Sequence, residues 1–292
     1  MEACASAHHW ERKIAELGHV VKLIPPVYVK PFVKRQKNDA ADAEAIVEAA
    51  SRPTMRFVAV KSADQQAAGM AFRTRDLFVR QKTQLINALR GHLAEHGVVA
   101  PQGIVHLKRL KTALGDEENG LPTTVVLHAE LILDQISVLQ SRIEALEKDI
   151  LTVSREDTLA VRLMTVPGVG PITAAALLAF APDPATFQRG RDFSAWMGLT
   201  PKQHSSGGKE RLGRTSKMGQ RDLRRLLITG AMAVVRWAAR KGAPAGSWLA
   251  RMLEHKPTML VAVALANRMG RIIWALMAHG GVYNSHREKA AA

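Results

Sequence analysis

Apolar residues recur along residues 125–153 at steps of four and three: Val125, Ala129, Ile132, Ile136, Leu139, Ile143, Leu146, Ile150 and Val153. Strands alternate with period two, so this spacing fits a helix. About four heptads of a and d positions give that helix one long apolar seam. Such a seam needs a second helix to cover it, and the chain supplies one. Ser62-Ala63-Asp64-Gln65 has the form of a capping box, with serine bonding an early backbone N–H and glutamine reaching back. It opens a helix predicted to run to about His96 and close at Gly97, with Phe72, Val79, Ile86 and Leu93 seven residues apart. Residues 97–122 hold Pro101, Gly103, Gly115, Gly120 and Pro122 and read as a turn-rich connection. The two long helices are expected to form an antiparallel hairpin or half of a dimeric coiled coil. The seam is structural and carries no chemistry.

Before this hairpin, residues 5–17 have a helical pattern ending at Gly18. His19–Ile24 is a buried-strand candidate stopped by Pro25-Pro26. A basic loop with Lys30, Lys34, Arg35 and Lys37 leads into an alanine-rich helix that opens at Asn38-Asp39 and ends near Arg52-Pro53. Helix, strand, loop and helix make an α/β fragment too short to close a sheet alone. After about residue 158, short helices separated by glycine and proline are expected, and no repeat longer than a heptad is visible.

The charge balance narrows the partners. Lys and Arg number 41 against 26 Asp and Glu, a formal net charge of +15. An excess of this size suits phosphate neutralisation and counterion release from nucleic acid, with an anionic membrane surface as the other use of basic charge. Cys4 is the single cysteine, so an intrachain disulfide is excluded, which fits a reducing cytoplasm. The start lacks a signal-peptide pattern, and apolar stretches such as Leu226–Val235 fall short of a membrane span. A bacterial-type cytoplasmic protein without a membrane partner is expected, nucleoid-associated when bound.

Three features could carry chemistry. Val166-Pro167-Gly168-Val169-Gly170, followed by Ile172, Thr173 and an apolar run, has the form of a helix-hairpin-helix element. There Gly168 and Gly170 would let backbone N–H groups approach a phosphate, against the plainer alternative of a tight interhelical turn. The stretch from Thr200 to Gly219 places Ser205-Ser206-Gly207-Gly208 among Lys202, Lys209, Arg211, Arg214 and Lys217. Cations at that density bind phosphates and stabilise charge at a reacting phosphoryl group. Serine there is either a nucleophile or a turn-capping hydroxyl beside DNA-gripping cations. Asp39 and Asp42, three apart, share a helix face, and Glu2 precedes another helix. Carboxylates from separate elements suit Mg²⁺ in phosphoryl transfer, while helix-start capping is the competing use.

Met1-Glu2-Ala3-Cys4, Lys37-Asn38-Asp39-Ala40-Ala41-Asp42-Ala43, Val166-Pro167-Gly168-Val169-Gly170, Gly198-Leu199-Thr200-Pro201 and Ser205-Ser206-Gly207-Gly208-Lys209 occur in this order. Together they resemble the DEDD transposases of the insertion-sequence "one hundred and ten" family, specifically its "eleven-eleven" branch, over nearly the whole chain. The resemblance implies a mixed, mainly α fold. Its parts would be a partial RuvC-like (RNase H-like) α/β domain over 1–60, a coiled-coil helical hairpin over 61–156, and a helical transposase domain over 157–292. It implies that Glu2, Asp39 and Asp42 are the second, third and fourth acids, holding Mg²⁺, and that Ser206 attacks a DNA phosphodiester and joins a strand end covalently. A structured bridge RNA would guide target and donor choice, and the active unit would be a homo-oligomer, dimer or tetramer. With the resemblance admitted, nucleophile and metal ligand become the better readings of Ser206 and of Asp39 and Asp42.

The family's first aspartate lies on a strand upstream of the glutamate, and this chain begins one residue before that glutamate. A sheet lacking its opening strands and a weaker Mg²⁺ site are therefore expected, from a late start codon or a decayed copy. A non-catalytic nucleic-acid binder or an inactive remnant are the alternative functions. Other residues receive structural readings. Adjacent His8 and His9 point apart on a helix, Trp196, Trp237, Trp248 and Trp274 are expected in the core, and Arg221, Arg224 and Arg225 form one basic helical face towards nucleic acid or solvent.

Overall fold

A computed structural model describes residues 1–34, 38–116 and 119–284, so Arg35 and Lys37 of the basic loop lie outside the described residues. The fold is mainly helical. In chain order the helices are α1 (Ala7–Glu16), α2 (Pro26–Val29), α3 (Asp39–Ala50), α4 (Ala63–Ala94), α5 (Leu107–Leu114), α6 (Thr123–Glu156), α7 (Thr158–Leu163), α8 (Pro171–Phe180), α9 (Gly190–Trp196), α10 (Arg221–Lys241), α11 (Trp248–His255) and α12 (Thr258–His279). One antiparallel ladder pairs β1 (Pro201–Gln203) with β2 (Leu212–Thr215). Two compact units result, residues 1–68 with 162–292 and residues 69–161.

In the unit of residues 69–161, α4 and α6 run antiparallel. Arg75 Nε donates to Glu147 Oε1 at 2.8 Å and Lys82 Nζ to Gln140 Oε1 at 2.6 Å, so seven residues forward on one helix are seven back on the other. The apolar seam lies between them: Ile86, Leu89 and Leu93 pack with Ala129, Leu133 and Ile136. The heptad reading needs a small rotation, because Leu133 is buried where Ile132 was expected, and Val153 is 53% exposed. The connection is a further correction. Rather than turns alone it contains α5, whose Leu107, Leu110 and Leu114 recur at helical spacing and pack into the same core. The glycines and prolines that flank this short amphipathic stretch masked it. Leu110 is fully buried, and Leu110→Ala is expected to cost about 3 kcal/mol of stability by chemical denaturation.

The other unit begins with three short segments side by side. Glu2 bridges Ile24 in parallel and Leu23 bridges Val58 antiparallel, with Ala3 N donating to Ile24 O at 2.8 Å and Val58 N to Leu23 O at 2.7 Å. The expected strand over His19–Ile24 shrinks to these single-residue bridges. Leu23 and Ile24 are fully buried, whereas Val20 is 90% exposed, because burial reaches only the end that packs on the helices. Ile24 joins Val29 of α2 and Ala45 and Ala49 of α3 in a small core. The capping box forms as read: Gln65 N donates to Ser62 Oγ at 3.0 Å and Ser62 N to Gln65 Oε1 at 3.2 Å.

In the same unit α12 contacts α9, α10 and α11. This 22-residue helix is long and apolar enough to cross a membrane, contrary to the expectation that every apolar stretch is too short. Val261, Ala262, Ala266, Met269, Gly270, Ile273 and Leu276 are nonetheless buried among the other helices. Small residues permit the close crossing with α9: a Cβ at Gly270 would stand 2.9 Å from Ser194 Oγ, and Ser194 Oγ donates to Asn267 O at 3.1 Å. Trp196 stacks on Phe193 with ring centres 5.6 Å apart and Trp274 Nε1 donates to Pro184 O, but both are half-buried at the edge of the core rather than inside it as expected. Trp237 departs from that pattern. It is 59% exposed on α10, whose buried face is Leu223, Leu227, Ala231, Val235 and Ala238.

Candidate active site

The serine-glycine segment is the tip of the β1–β2 hairpin. His204 N donates to Arg211 O at 2.8 Å, and Ser206 and Lys209 form the last bridge, with Lys209 N donating to Ser206 O at 3.1 Å. Gly207 and Gly208 take φ of +57° and +76°, the two positive values a type I′ turn requires and which L side chains resist. The two serines then differ. Ser205 Oγ accepts from Arg211 N at 3.2 Å and ties the turn to its partner strand. Ser206, at the turn's first position, is exposed, and its hydroxyl makes no hydrogen bond among the described residues. His204 turns to the facing strand instead, where a Cβ on Gly213 would stand 2.8 Å from its ring.

Lys202, Lys209, Arg211, Arg214 and Lys217 all emerge exposed from this one hairpin and its exit, and among the described residues none is ion-paired. The hairpin stands on a tight base. A Cβ on Gly198 would collide with Met218 O, and one on Gly219 with Trp196 O, so two glycines at positive φ let the hairpin's exit lie against the end of α9. Arg224 locks this contact: its Nη1 donates to Met197 O at 3.0 Å and to Met218 O at 2.9 Å. Burial, then neighbouring Arg221, lower its pKa, and Asp222 partly offsets them. Arg221 and Arg225 remain exposed on α10, but Arg224 is engaged under the hairpin. Arg224→Met, which keeps the stem and removes the donors, is expected to destabilise by about 2 kcal/mol in thermal melts, with duplex-DNA affinity falling less than twofold.

The glycine turn between α7 and α8 separates its two glycines by role. Gly168, at φ +89°, packs on α10 and α12: a Cβ would stand 2.9 Å from Gly230 O and 3.1 Å from the Met269 methyl. Gly170 has open space around it and is the N-cap of α8, whose next residue, Pro171, has no N–H to offer. A phosphate could approach at Gly170 but meets packed helices at Gly168.

Asn38 takes the N-cap of α3, its Oδ1 accepting from Ala41 N at 2.7 Å, so neither aspartate is used as the cap. Asp39 is exposed and Asp42 half-buried on the first turn, while Glu2 is held by the backbone bridge to Ile24. Among the described residues no three His, Cys, Asp or Glu side chains converge as a metal-ligand group, so Glu2, Asp39 and Asp42 do not by themselves close a Mg²⁺ site. Ser206 belongs to the same compact unit as the acids, and no hydrogen bond among the described residues joins it to them. The exposed Trp237 was missed because its neighbours Ala233, Val234, Ala238 and Ala239 read as core, whereas its angular position on α10 puts it outside.

Comparison with known proteins adds the lineage. The model of the Transposase IS116/IS110/IS902 family matches residues 160–244, which include the glycine turn, the hairpin and α10. A second transposase model, for the DEDD domain of IS110 transposases, matches residues 4–97, a span containing Asp39 and Asp42 but not Glu2. A probable family 20 transposase of Pseudomonas aeruginosa is 47% identical over 97% of this chain and 84% of its own length. The transposase for insertion sequence element IS1328 of Yersinia enterocolitica is 40% identical over 97% and 84%, and that for IS1111A of Coxiella burnetii 38% identical over 97% and 78%. At these identities over these lengths, the chain belongs to the IS110 family of transposases.

Proposed function

We propose that the protein cuts and rejoins DNA at the ends of an insertion sequence with Ser206 as nucleophile. The observation that carries this is the division of labour in the turn: Ser205 is consumed by Arg211 N–H, while Ser206 Oγ is exposed and uncommitted among five cations. In the reaction, Ser206 Oγ attacks a backbone phosphorus in line, a serine–phosphate ester forms, and the phosphorus–oxygen bond to one strand end breaks. The proton lost by the Ser206 hydroxyl passes through solvent to the departing oxygen, and in the second step the proton of the incoming hydroxyl returns by the same route to serine. A hydroxyl of the incoming strand then attacks the ester and regenerates serine, so bond number is conserved. Lys202, Lys209, Arg211, Arg214 and Lys217 bind the flanking phosphates and offset the charge that builds on the phosphoryl oxygens. Arg221 and Arg225 extend the contact along α10, and a phosphate at Gly170 completes a helix-hairpin-helix contact.

The remaining parts of the reading rest on family membership. Glu2, Asp39 and Asp42 are proposed as Mg²⁺ contacts of the assembled complex, where substrate oxygens or another subunit supply the further ligands. Mg²⁺ would there activate the attacking and leaving oxygens. Residues 1–60 are proposed as an RNase H-like domain, 61–156 as a coiled-coil hairpin that joins subunits into a dimer or tetramer, and 157–292 as the transposase domain. A structured bridge RNA is proposed to choose target and donor. The test is adduct trapping with a nicked element-end substrate: a covalent protein–DNA species whose peptide maps to Ser206 supports the reading. Strand transfer without any adduct, or an adduct on another residue, refutes it.

A further inference from the structure

The sequence of α10 holds a single acid, Asp222, against Arg221, Arg224, Arg225, Arg236, Arg240 and Lys241. At about 100° per residue, Arg221, Arg225, Arg236 and Arg240 fall within an arc of roughly 100°, a stripe about 28 Å long on the exposed side of the helix. All four are exposed, and neither Arg236, Arg240 nor Lys241 is ion-paired among the described residues. Trp237 flanks the distal end of this stripe, about 60° round the helix from its edge, 59% exposed, with Arg240 and Lys241 three and four residues ahead on its own face. A large indole left in water among cations is poorly explained by packing. The other face of α10 is already buried against α8 and α12, so the helix is not free to lay an apolar side into lipid.

We propose that the C-terminal half of α10 is a platform for unpaired DNA, with one base stacked on Trp237 and the flanking phosphates held by Arg236, Arg240 and Lys241. Stacking requires a bare π-face. Duplex bases offer their faces only to each other, whereas single-stranded bases are available. The charge pattern matches a phosphate backbone running along the helix, and a second copy of this chain would bring like charge against it. The inference rests on the proposed function only in taking DNA as the partner. Strand exchange must leave stretches of DNA unpaired, and this face would hold one of them.

The test measures binding by the whole protein to labelled oligo(dT), to oligo(U), to a matched duplex and to phosphatidylserine vesicles. Trp237→Ala is expected to weaken oligo(dT) binding about tenfold, Trp237→Phe to recover most of the loss, and both to leave duplex affinity within about twofold. Arg236→Ala with Arg240→Ala is expected to flatten the oligo(dT) salt dependence by roughly 1.4 log units per log unit of salt. That measurement still decides the matter if Trp237→Ala fails to fold. Unchanged oligo(dT) binding in Trp237→Ala, equal losses on duplex, tighter binding of oligo(U) or of vesicles, or a changed sedimentation coefficient marking a copy-to-copy interface would each overturn the proposal. No strand transfer is needed for any of these readings, so a failure of Ser206 as nucleophile leaves them intact, and their failure leaves Ser206 untouched.

Discussion

Ser206→Ala is expected to eliminate the covalent protein–DNA adduct and to lower strand transfer by at least about 10³-fold, because loss of a nucleophile removes the bond-forming atom itself. Element-end affinity should stay within about twofold, since the cations that grip phosphate are other side chains and the turn needs nothing from this hydroxyl. Ser205→Ala is the informative companion. It removes the acceptor for Arg211 N–H, loosens the tip, and should lower the rate while leaving the adduct on Ser206. A gel-shift titration beside a denaturing adduct assay checks both variants. If Ser206→Ala still forms an adduct, the nucleophile lies elsewhere and the hairpin is only a phosphate clamp.

The largest expected loss of stability comes from a residue with no proposed part in the chemistry. A Cβ at Gly230, inside α10, would collide with Gly168 O, which sits in the rigid turn before α8. Neither partner has a flexible end to swing aside: one is a helix backbone and the other a glycine held at φ +89°. Gly230→Ala should therefore force α10 away from the turn and cost about 3 kcal/mol or more, well beyond the small gain alanine normally brings to a helix. Gly170→Ala, two residues along the same turn as Gly168 but in open space at an ordinary φ of −88°, should change the melting temperature little. Equal melting temperatures for the two variants would refute the packing argument.

Local signals in the sequence survived folding where one segment contained the whole interaction. The capping box of Ser62 and Gln65, the antiparallel pairing of two long helices and the glycine turn behind Ser206 all depend on residues close in sequence or on a sustained period. What the sequence left open depended on partners distant along the chain. His19–Ile24 looks like a strand by composition, yet pairing exists only where Glu2 and Val58 lie alongside. Gly168 resembles a phosphate-approach glycine, but its lack of a side chain is required by Gly230, sixty-two residues later. Arg224 is indistinguishable from Arg221 and Arg225 in sequence, and only the carbonyls of Met197 and Met218 set it apart. Trp237 has alanines and valines for neighbours, so its exposure could be read only from the side of α10 that faces the other helices.

The cross-links between α4 and α6 have a consequence for how this protein can change length. Arg75 with Glu147 and Lys82 with Gln140 are spaced one heptad apart on both helices, so they set a fixed register. Inserting a single residue into one rod would mismatch the polar rungs and turn the apolar residues beyond it, such as buried Ile143, by about 100° away from the seam. Variants of this arm should therefore lengthen or shorten by whole heptads, and on both rods together.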